Sequence, residues 1–252
     1  MISSPRCVVL LDIDGTLVTG PDNGPSAGLL AMNRAAYLVT SSDLFGNPGE
    51  FDGLTDMEVA RRFRLGDPST FAGRTDVQIA RQLLVLAGID PPPENLVTEL
   101  VDTYVDGLAD FAVDIGYTAL GDPHTAVPRL NEIGAIVGLG TGNVRPGART
   151  KLKSAGIEHL FDLELGGYGG DGETRADLLR IGARRCDPGG NLPVIIVGDT
   201  PRDIHAAHEI GAICVGVPYR HNTDSVLTKA GADIIVDSVG SGLVDFVSNR
   251  FS

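Results

Sequence analysis

The stretch that decides the fold runs from Cys7 to Leu17 and reads Cys7-Val8-Val9-Leu10-Leu11-Asp12-Ile13-Asp14-Gly15-Thr16-Leu17. Its first five residues are all apolar, which is typical of a strand buried on both faces in a parallel sheet. The strand runs directly into two carboxylates, Asp12 and Asp14. Because side chains alternate along a strand, both acids should lie on one side at its carboxyl end, where open α/β sheets bind their ligands. Two carboxylates this close repel each other unless a cation or a proton lies between them.

The size and charge of the chain narrow the class of protein. Its 252 residues, 42% of them hydrophobic, suffice for one large α/β domain or for a core with one insertion. The formal net charge of -13 argues against nucleic acid or an anionic membrane surface as a partner. No apolar run reaches the roughly 18 residues that a membrane-spanning helix needs, and residues 1–5 lead into a strand instead of a signal peptide. The three cysteines form no C-x-x-C pair, so we expect a reduced, cytoplasmic protein.

The segment from residue 26 to about residue 110 has helical periodicity and no buried-strand pattern. It predicts helices over residues 27–39, with Ser26 as the N-cap, over 76–87 and over 94–108. We therefore predict an all-α domain inserted into an α/β core. The boundaries we assign are 1–20 and 115–252 for the core domain and 21–114 for the inserted domain.

From residue 133 onward, strands alternate with helices. The apolar runs predict strands over residues 135–140, 160–165, 194–197, 213–217 and 233–236. Strands that alternate with helices form a parallel sheet with right-handed crossovers. The predicted fold class is therefore α/β, with a doubly wound, Rossmann-like parallel sheet as the core and an inserted all-α domain.

Three of the buried strands end in polar residues. The first ends in Asp12 and Asp14, the second in Thr141-Gly142-Asn143, and the one that begins at residue 194 in Gly198-Asp199-Thr200-Pro201-Arg202-Asp203. Because the carboxyl ends of parallel strands converge on one crevice, we expect these groups to meet there. Carboxylates beside a hydroxyl suit Mg²⁺ next to a phosphoryl group, whereas the lack of a Cys/His cluster argues against zinc. A helix-capping acidic turn is the alternative for an isolated Asp-x-Asp, but the buried strand before it favours a ligand site.

In this order and spacing, the three motifs resemble the signatures of the haloacid dehalogenase superfamily, most of whose members are phosphatases. The helical insertion between the first and the second motif resembles the α-helical, C1-type cap of that family. Within the superfamily, the chain resembles phosphoglycolate phosphatases. The resemblance implies a phosphatase that uses Mg²⁺ and an aspartyl-phosphate intermediate.

The resemblance also implies roles for the acids. Asp12 would be the nucleophile, and Asp14 would first protonate the leaving alkoxide and then activate the water that hydrolyses the intermediate. The metal ligands would be Asp12, Asp14 through its backbone carbonyl, Asp199 and Asp203. For Asp203, a helix-capping acid with no metal role is an open alternative.

Two loops are expected to bind the substrate. Thr141, Gly142 and the adjacent Asn143 would hold the phosphoryl oxygens, with Thr141 counted among the catalytic residues. In the insertion, Gly73 and Arg74 resemble the substrate-facing loop of the family's cap, so Arg74 is a candidate for binding a second anionic group. A solvated surface arginine is the alternative.

The chain departs from the family pattern at one further signature. Relatives usually carry a lysine near the start of the helix after the third strand, whereas this chain has Arg175 there. Arginine can supply the charge and a fork of donors, although the two residues are not interchangeable at a tight site. A surface arginine is the alternative for Arg175, and Lys151 is then the fallback cation.

The leading hypothesis is a Mg²⁺-dependent phosphatase acting on a small phosphorylated metabolite, such as phosphoglycolate or a sugar phosphate. Asp14 favours a phosphatase over the dehalogenases of the superfamily, which do not need an acid at this position. Phosphonate hydrolases carry an additional lysine in the cap, and residues 26–110 contain no lysine. A phosphomutase similar to β-phosphoglucomutase and a non-catalytic binding protein on the same fold stay open. Monomer and homodimer stay open as well.

Overall fold

The fold is known from a computed structural model, which describes residues 5–22, 25–45, 58, 71 and 73–251. The strands of this part of the chain are β1 (Cys7–Leu11), β2 (Val18–Thr19), β3 (Thr118–Ala119), β4 (Ala135–Gly140), β5 (Gly166–Gly167), β6 (Val194–Gly198), β7 (Ile213–Gly216) and β8 (Ile234–Ile235). Its helices are α1 (Ala27–Thr40), α2 (Asp76–Leu86), α3 (Glu94–Asp114), α4 (Pro123–Glu132), α5 (Arg145–Ser154), α6 (Arg175–Cys186), α7 (Pro201–Glu209), α8 (Asp224–Ala230) and α9 (Ser241–Phe251). No helix within these ranges is long and apolar enough to cross a membrane.

Six strands form one parallel sheet in the order β5-β4-β1-β6-β7-β8. Strand β1 lies at its centre, where Val9 pairs with Val137 of β4 on one side and with Ile195 of β6 on the other. The strand order reverses at β1, because the chain proceeds outward to β5 on one side and then to β8 on the other. This arrangement confirms the predicted doubly wound sheet, and it creates a crevice at the carboxyl end of β1.

Both faces of the sheet are covered, as the apolar run of β1 requires. All five β1 side chains are buried, and they alternate between two hydrophobic clusters. Val9 belongs to the cluster that also contains the inserted helices, whereas Val8 and Leu10 pack against residues of α6 and α7. The three cysteines are free and buried, as expected for small apolar side chains.

The helices α1, α2 and α3 of the predicted insertion pack on one another through a shared apolar cluster. The predicted N-cap of α1 is confirmed, because Ser26 Oγ accepts a hydrogen bond from the Leu29 N–H (3.2 Å). Helix α3 runs to Asp114, further than the predicted residue 108. The short antiparallel ribbon of β2 and β3, which the sequence did not predict, joins the chain before the helices to the chain after them. The domain boundaries at residues 20 and 115 stay a prediction.

One predicted strand is wrong. Residues 160–165 form no strand, because a short 3-10 turn covers Glu158–Leu160 and the strand that pairs with β4 is β5. A Cβ on Gly167 would collide with the backbone carbonyl of Leu178 in α6, so only glycine fits at this edge of the sheet. The apolar side chains before β5 instead pack into the core, where Phe161 is buried.

Candidate active site

The turn after β1 brings two loops of the sheet into close contact. Its backbone is fixed on one side by the Asp12 N–H, which donates to the Val197 carbonyl of β6 (2.9 Å). Gly15 adopts a left-handed conformation with φ of 80°, and a Cβ there would lie 2.5 Å from Asp199 Oδ2. Glycine at this position therefore lets the Asp12–Asp14 turn approach the Asp199 loop closely.

Three buried aspartates meet at the carboxyl end of β1. Asp12, Asp199 and Asp203 each offer a carboxylate oxygen, and these oxygens all lie within 4.8 Å of one another. Burial, and repulsion among the acids, raise the pKa of Asp12 to about 7 and that of Asp199 well above its usual range, against the opposing charge of Arg175. Such a cluster is stable as carboxylates only if more positive charge is bound to it.

The donor set fits a hard divalent cation. All three side chains offer oxygen ligands, the type that Mg²⁺ prefers. Asp199 Oδ1 is buried and receives no hydrogen bond from the described part of the chain. A buried carboxylate oxygen of this kind needs a partner, and a metal ion would supply one. Asp12 and Asp199 are the residues best placed to hold it, because Asp203 is already engaged by protein groups.

Arg175, at the first position of α6, reaches into this cluster. Its Nη2 lies 2.8 Å from Asp12 Oδ2 and also forms an ion pair with Asp203, and its Nη1 donates to the Gly73 carbonyl (3.2 Å). The side chain is buried, and although burial alone would lower its pKa, the charges of Asp12 and Asp203 hold that pKa above its usual range. Arg175 is therefore a buried, permanently charged cation that bridges two acids. It is not the surface arginine that the sequence left as an alternative.

Asp203 caps a helix, which is the alternative that the sequence left open beside a metal role. Its Oδ2 accepts hydrogen bonds from the Thr200 N–H (3.0 Å) and the Thr200 hydroxyl (2.6 Å), which makes it the acid of a capping box at the start of α7. Its Oδ1 faces Arg175. The Asp203 carboxylate thus caps α7 and at the same time holds Arg175 beside Asp12 through an ion pair.

The loop after β4 carries the predicted phosphoryl-binding residues. The Thr141 hydroxyl is buried and accepts a hydrogen bond from Asn143 Nδ2 (2.8 Å), which also donates to Asp14 Oδ2 (2.7 Å). The start of α2 is docked on this loop, since the Asp76 N–H donates to the Gly142 carbonyl and the Val144 N–H donates to Asp76 Oδ2 (both 2.8 Å). The structure thus brings Thr141, Gly142 and Asn143 to the Asp14 side of the crevice.

Asp76, at the start of α2, is a buried acid that was not among the predicted site residues. Its burial raises its pKa to about 6, which Lys151 and the Val144 N–H oppose. Because its carboxylate and its N–H both bind the loop after β4, Asp76 connects the inserted helices to that loop. The Thr75-Asp76 pair at the start of α2 was the available signal, but such a pair also occurs where it only caps a helix.

Lys151 of α5 forms an ion pair with Asp14. Its Nζ donates to Asp14 Oδ1 (2.9 Å) and to Asp14 Oδ2 (2.7 Å). The Lys151 side chain is 7% exposed, whereas that of Asp14 is 50% exposed. From the sequence, Lys151 was the alternative to Arg175 as the cation of the site. In the structure the two cations form ion pairs with different carboxylates, Lys151 with Asp14 and Arg175 with Asp12. No pattern within α5 distinguishes a lysine that turns inward from one that faces solvent.

The cap side of the crevice is formed by the loop that contains Gly73 and Arg74. Gly73 has φ of 70°, and a Cβ there would lie 2.7 Å from Thr200 Oγ1, so the loop lies directly on the start of α7. Arg74 lines the same cavity as Arg202, whose pKa is lowered by burial and by the nearby charges of Arg74 and Arg175. Arg202 lies within the Asp199 motif, but it was not among the predicted site residues.

The predicted site residues thus surround one cavity of about 820 Å³ between the sheet and the inserted helices. Its walls include Asp12, Asp14, Gly73, Arg74, Thr141, Gly142, Asn143, Arg175 and Asp199. Asp203 lies beneath the wall, with no exposed surface. Of all the predicted site residues, Asp203 is the one not found among the described lining residues.

No protein-family model matches this chain. It is 31% identical over 112 residues to a phosphoglycolate phosphatase of Haemophilus influenzae, a match that covers 43% of this chain and 48% of that protein. The chain thus spans about half the length of the curated relatives it matches.

Solved structures of other proteins are similar to this chain over nearly its full length, and two of them illustrate the likeness. A hydrolase from Pseudomonas syringae matches 98% of this chain and 100% of its own, with a TM-score of 0.65 and 15% identity. A haloacid dehalogenase-like family hydrolase from Streptococcus pneumoniae matches 96% of this chain and 98% of its own, with a TM-score of 0.56 and 17% identity. At these identities the likeness shows a shared fold.

Proposed function

We propose that this haloacid dehalogenase-like protein, which is similar to phosphoglycolate phosphatases, is a Mg²⁺-dependent phosphatase that hydrolyses a small phosphorylated metabolite through an aspartyl-phosphate. The observation that carries the proposal is the surroundings of Asp12. This buried carboxylate lies beside Arg175 and within a cluster of three acids, at the mouth of a cavity that Asp14 and Thr141 also line.

The first chemical step forms a bond between an Asp12 oxygen and phosphorus while the ester P–O bond of the substrate breaks. Asp12 must be ionised to attack, and burial opposes this by raising its pKa to about 7. Arg175 favours the carboxylate through its ion pair. Mg²⁺, when held by Asp12 and Asp199, would add positive charge that favours the carboxylate and offsets the charge of the phosphoryl oxygens.

Asp14 moves the protons in both steps. In the first step its carboxyl gives a proton to the leaving alkoxide, and in the second its carboxylate takes a proton from the water that attacks the aspartyl-phosphate and releases phosphate. Its side chain is half exposed toward the cavity, so it is accessible to substrate and water. Asn143 and Lys151 hold the carboxylate in place.

Thr141 and Gly142 would bind the phosphoryl oxygens, and the Arg74 loop would bind the rest of the substrate. Arg74 and the neighbouring Arg202 give this end of the cavity positive charge in a protein whose net charge is -13. That local charge supports a substrate with a second anionic group, as in phosphoglycolate or a phosphorylated sugar acid. The buried, free cysteines support a reduced compartment such as the cytoplasm.

The experiment is phosphate release from phosphoglycolate, sugar phosphates, nucleotides and an aryl phosphate, each with Mg²⁺ and with EDTA. We expect phosphate release that requires Mg²⁺ and that Asp12→Asn abolishes. After the reaction is quenched, mass spectrometry of the wild-type protein should show a species that is heavier than the unreacted protein by one phosphoryl group. The matched control is Asp245→Asn, which replaces an exposed acid of α9 and should retain full activity.

Two results would contradict the proposal. Release that persists unchanged in Asp12→Asn would place the chemistry elsewhere. No release from any substrate by folded protein would refute the phosphatase, and a sugar-phosphate isomer formed only in the presence of a sugar bisphosphate would identify a phosphomutase instead.

A further inference from the structure

We propose that Lys151 is the positioning residue of Asp14, which it holds in the orientation that proton transfer requires; this inference rests on the proposed function. Three hydrogen bonds define that orientation. Lys151 Nζ donates to both carboxylate oxygens (2.9 and 2.7 Å), and Asn143 Nδ2 donates to Oδ2 (2.7 Å). Asp14 is therefore held by donors from two elements, the β4 loop and α5.

The burial of Lys151 makes this contact strong. Within the described ranges, its ion pairs go to Asp14 alone. A buried ammonium is costly unless it is paired, so an arrangement that separates Lys151 from Asp14 is disfavoured. Although burial would lower its pKa, the charge of Asp14 helps to hold that pKa well above the usual range, so the side chain stays charged. The pair therefore restrains Asp14 more firmly than a solvated ion pair would.

The restraint matters because Asp14 is a short side chain on a turn, with half of its surface open to the cavity. A general acid or base must lie within hydrogen-bond reach of the atom that it protonates or deprotonates. Misplacement of a reacting group by about 1 Å can cost roughly 10²-fold in rate. Without Lys151, the single amide of Asn143 would be left to orient the carboxylate.

A purely structural role for Lys151 is the competing explanation. The ammonium lies 5.8 Å from the ring of Tyr117, whose hydroxyl accepts a hydrogen bond from the Gly28 N–H of α1 (2.9 Å). A Cβ on Gly28 would lie 3.7 Å from Lys151 Nζ, so the inserted helices pack closely over the lysine. A role limited to this packing would affect every step of the reaction and the melting temperature together, whereas positioning of Asp14 would affect proton transfer.

Rapid mixing with p-nitrophenyl phosphate separates the two explanations. Nitrophenolate leaves without a proton, so the first turnover needs Asp12 but not Asp14, whereas hydrolysis of the aspartyl-phosphate needs Asp14 as a base. We expect Lys151→Met to release its first equivalent of nitrophenol at nearly the wild-type rate and to lower the steady-state kcat about 10- to 100-fold. Because only the second step slows, KM should fall together with kcat, and kcat/KM should stay unchanged. Lys151→Arg, which keeps the charge, should recover part of the lost kcat.

The matched control is Lys153→Met, which removes an exposed lysine from the same helix and should behave as wild type. A Lys151→Met protein with the kcat of this control, or one in which first turnover, later turnovers and melting temperature all fall together, would overturn the positioning role. If Lys151→Met does not fold, Asp14→Asn combined with Lys151→Met leaves no unpaired charge and decides the question. Activity equal to that of Asp14→Asn alone supports the proposal, and a further loss overturns it.

The test also distinguishes this inference from the proposed function. Wild-type protein that releases no phosphate refutes the phosphatase itself. Active wild-type protein with an unaffected Lys151→Met variant refutes only the role of Lys151.

Discussion

The guanidinium of Arg175 lies 2.8 Å from the Asp12 carboxylate, and both side chains are buried. The same guanidinium is paired with Asp203, so one cation bridges two acids that would otherwise repel each other. Loss of one partner of a buried ion pair leaves an uncompensated charge, which is far more damaging than loss of a surface pair.

We therefore expect Arg175→Met to lower the free energy of unfolding by about 3–5 kcal/mol and the proposed phosphatase activity by at least roughly 10²-fold. Arg175→Lys should retain more of both, because it keeps the charge but loses the second nitrogen, which donates to the Gly73 carbonyl. Urea unfolding and kcat/KM provide the measurements. Arg184→Met, at an exposed position near the end of the same helix, is the control, and equal losses at the two positions would contradict the bridging role.

Gly15 tests whether the close approach of the Asp12 turn and the Asp199 loop matters for activity. Gly15→Ala would introduce a Cβ only 2.5 Å from Asp199 Oδ2, in a residue with φ of 80°. We expect at least a roughly 10-fold loss of activity and a higher Mg²⁺ concentration for half-maximal rate, because Asp199 must move.

The control for this variant shares the backbone strain without the collision. Gly88 has φ of 86° and open space where its Cβ would be. Gly88→Ala should cost about 1 kcal/mol of stability through its left-handed conformation and leave the activity unchanged. Similar kinetics for the two variants would show that strain alone explains the effect at Gly15.

Asp76 predicts a specific pH dependence of stability. Its folded-state pKa, raised to about 6 mainly by burial, exceeds its ordinary value of 3.8. Between these values the folded state binds more protons than the unfolded state, so the contribution of Asp76 is present at low pH and falls as the pH rises from about 4 to 6, by up to about 3 kcal/mol. Asp76→Asn, whose amide oxygen can still accept from the Val144 N–H, should remove this part of the slope. Unfolding free energies at four pH values would measure it, and parallel profiles for the two proteins would contradict the assignment.

Arg74 tests the proposed class of substrate. Arg74→Met should raise KM about 10- to 100-fold for phosphoglycolate or any substrate with a second anionic group, the cost of one charge-assisted hydrogen bond, with little change in kcat. Hydrolysis of an aryl phosphate, which lacks that group, should be unaffected. The control Arg81→Met changes an exposed arginine of α2 that pairs with Glu94. Equal increases in KM for both kinds of substrate would argue that Arg74 shapes the loop and binds no second anion.

The sequence predicted the centre of this protein better than its edges. The apolar run of β1 and the acids after it indicated a buried strand and a site at its carboxyl end, and Ser26 marked the start of α1. The failure at residues 160–165 has a physical reason. An edge strand of two glycines carries no side-chain periodicity, so β5 could not be recognised from its pattern.

What the sequence by itself determined is the set of local patterns: strands that end in Asp12, Thr141 and Asp199, and the helical character of the insertion. These follow from alternation and capping, which act between near neighbours in the chain. Only the tertiary structure decided that Arg175 pairs with Asp12 and that Lys151 pairs with Asp14. Lys151 and Asp14 are 137 positions apart. Whether a lysine of an amphipathic helix is buried depends on what packs over that helix, and no local pattern records this.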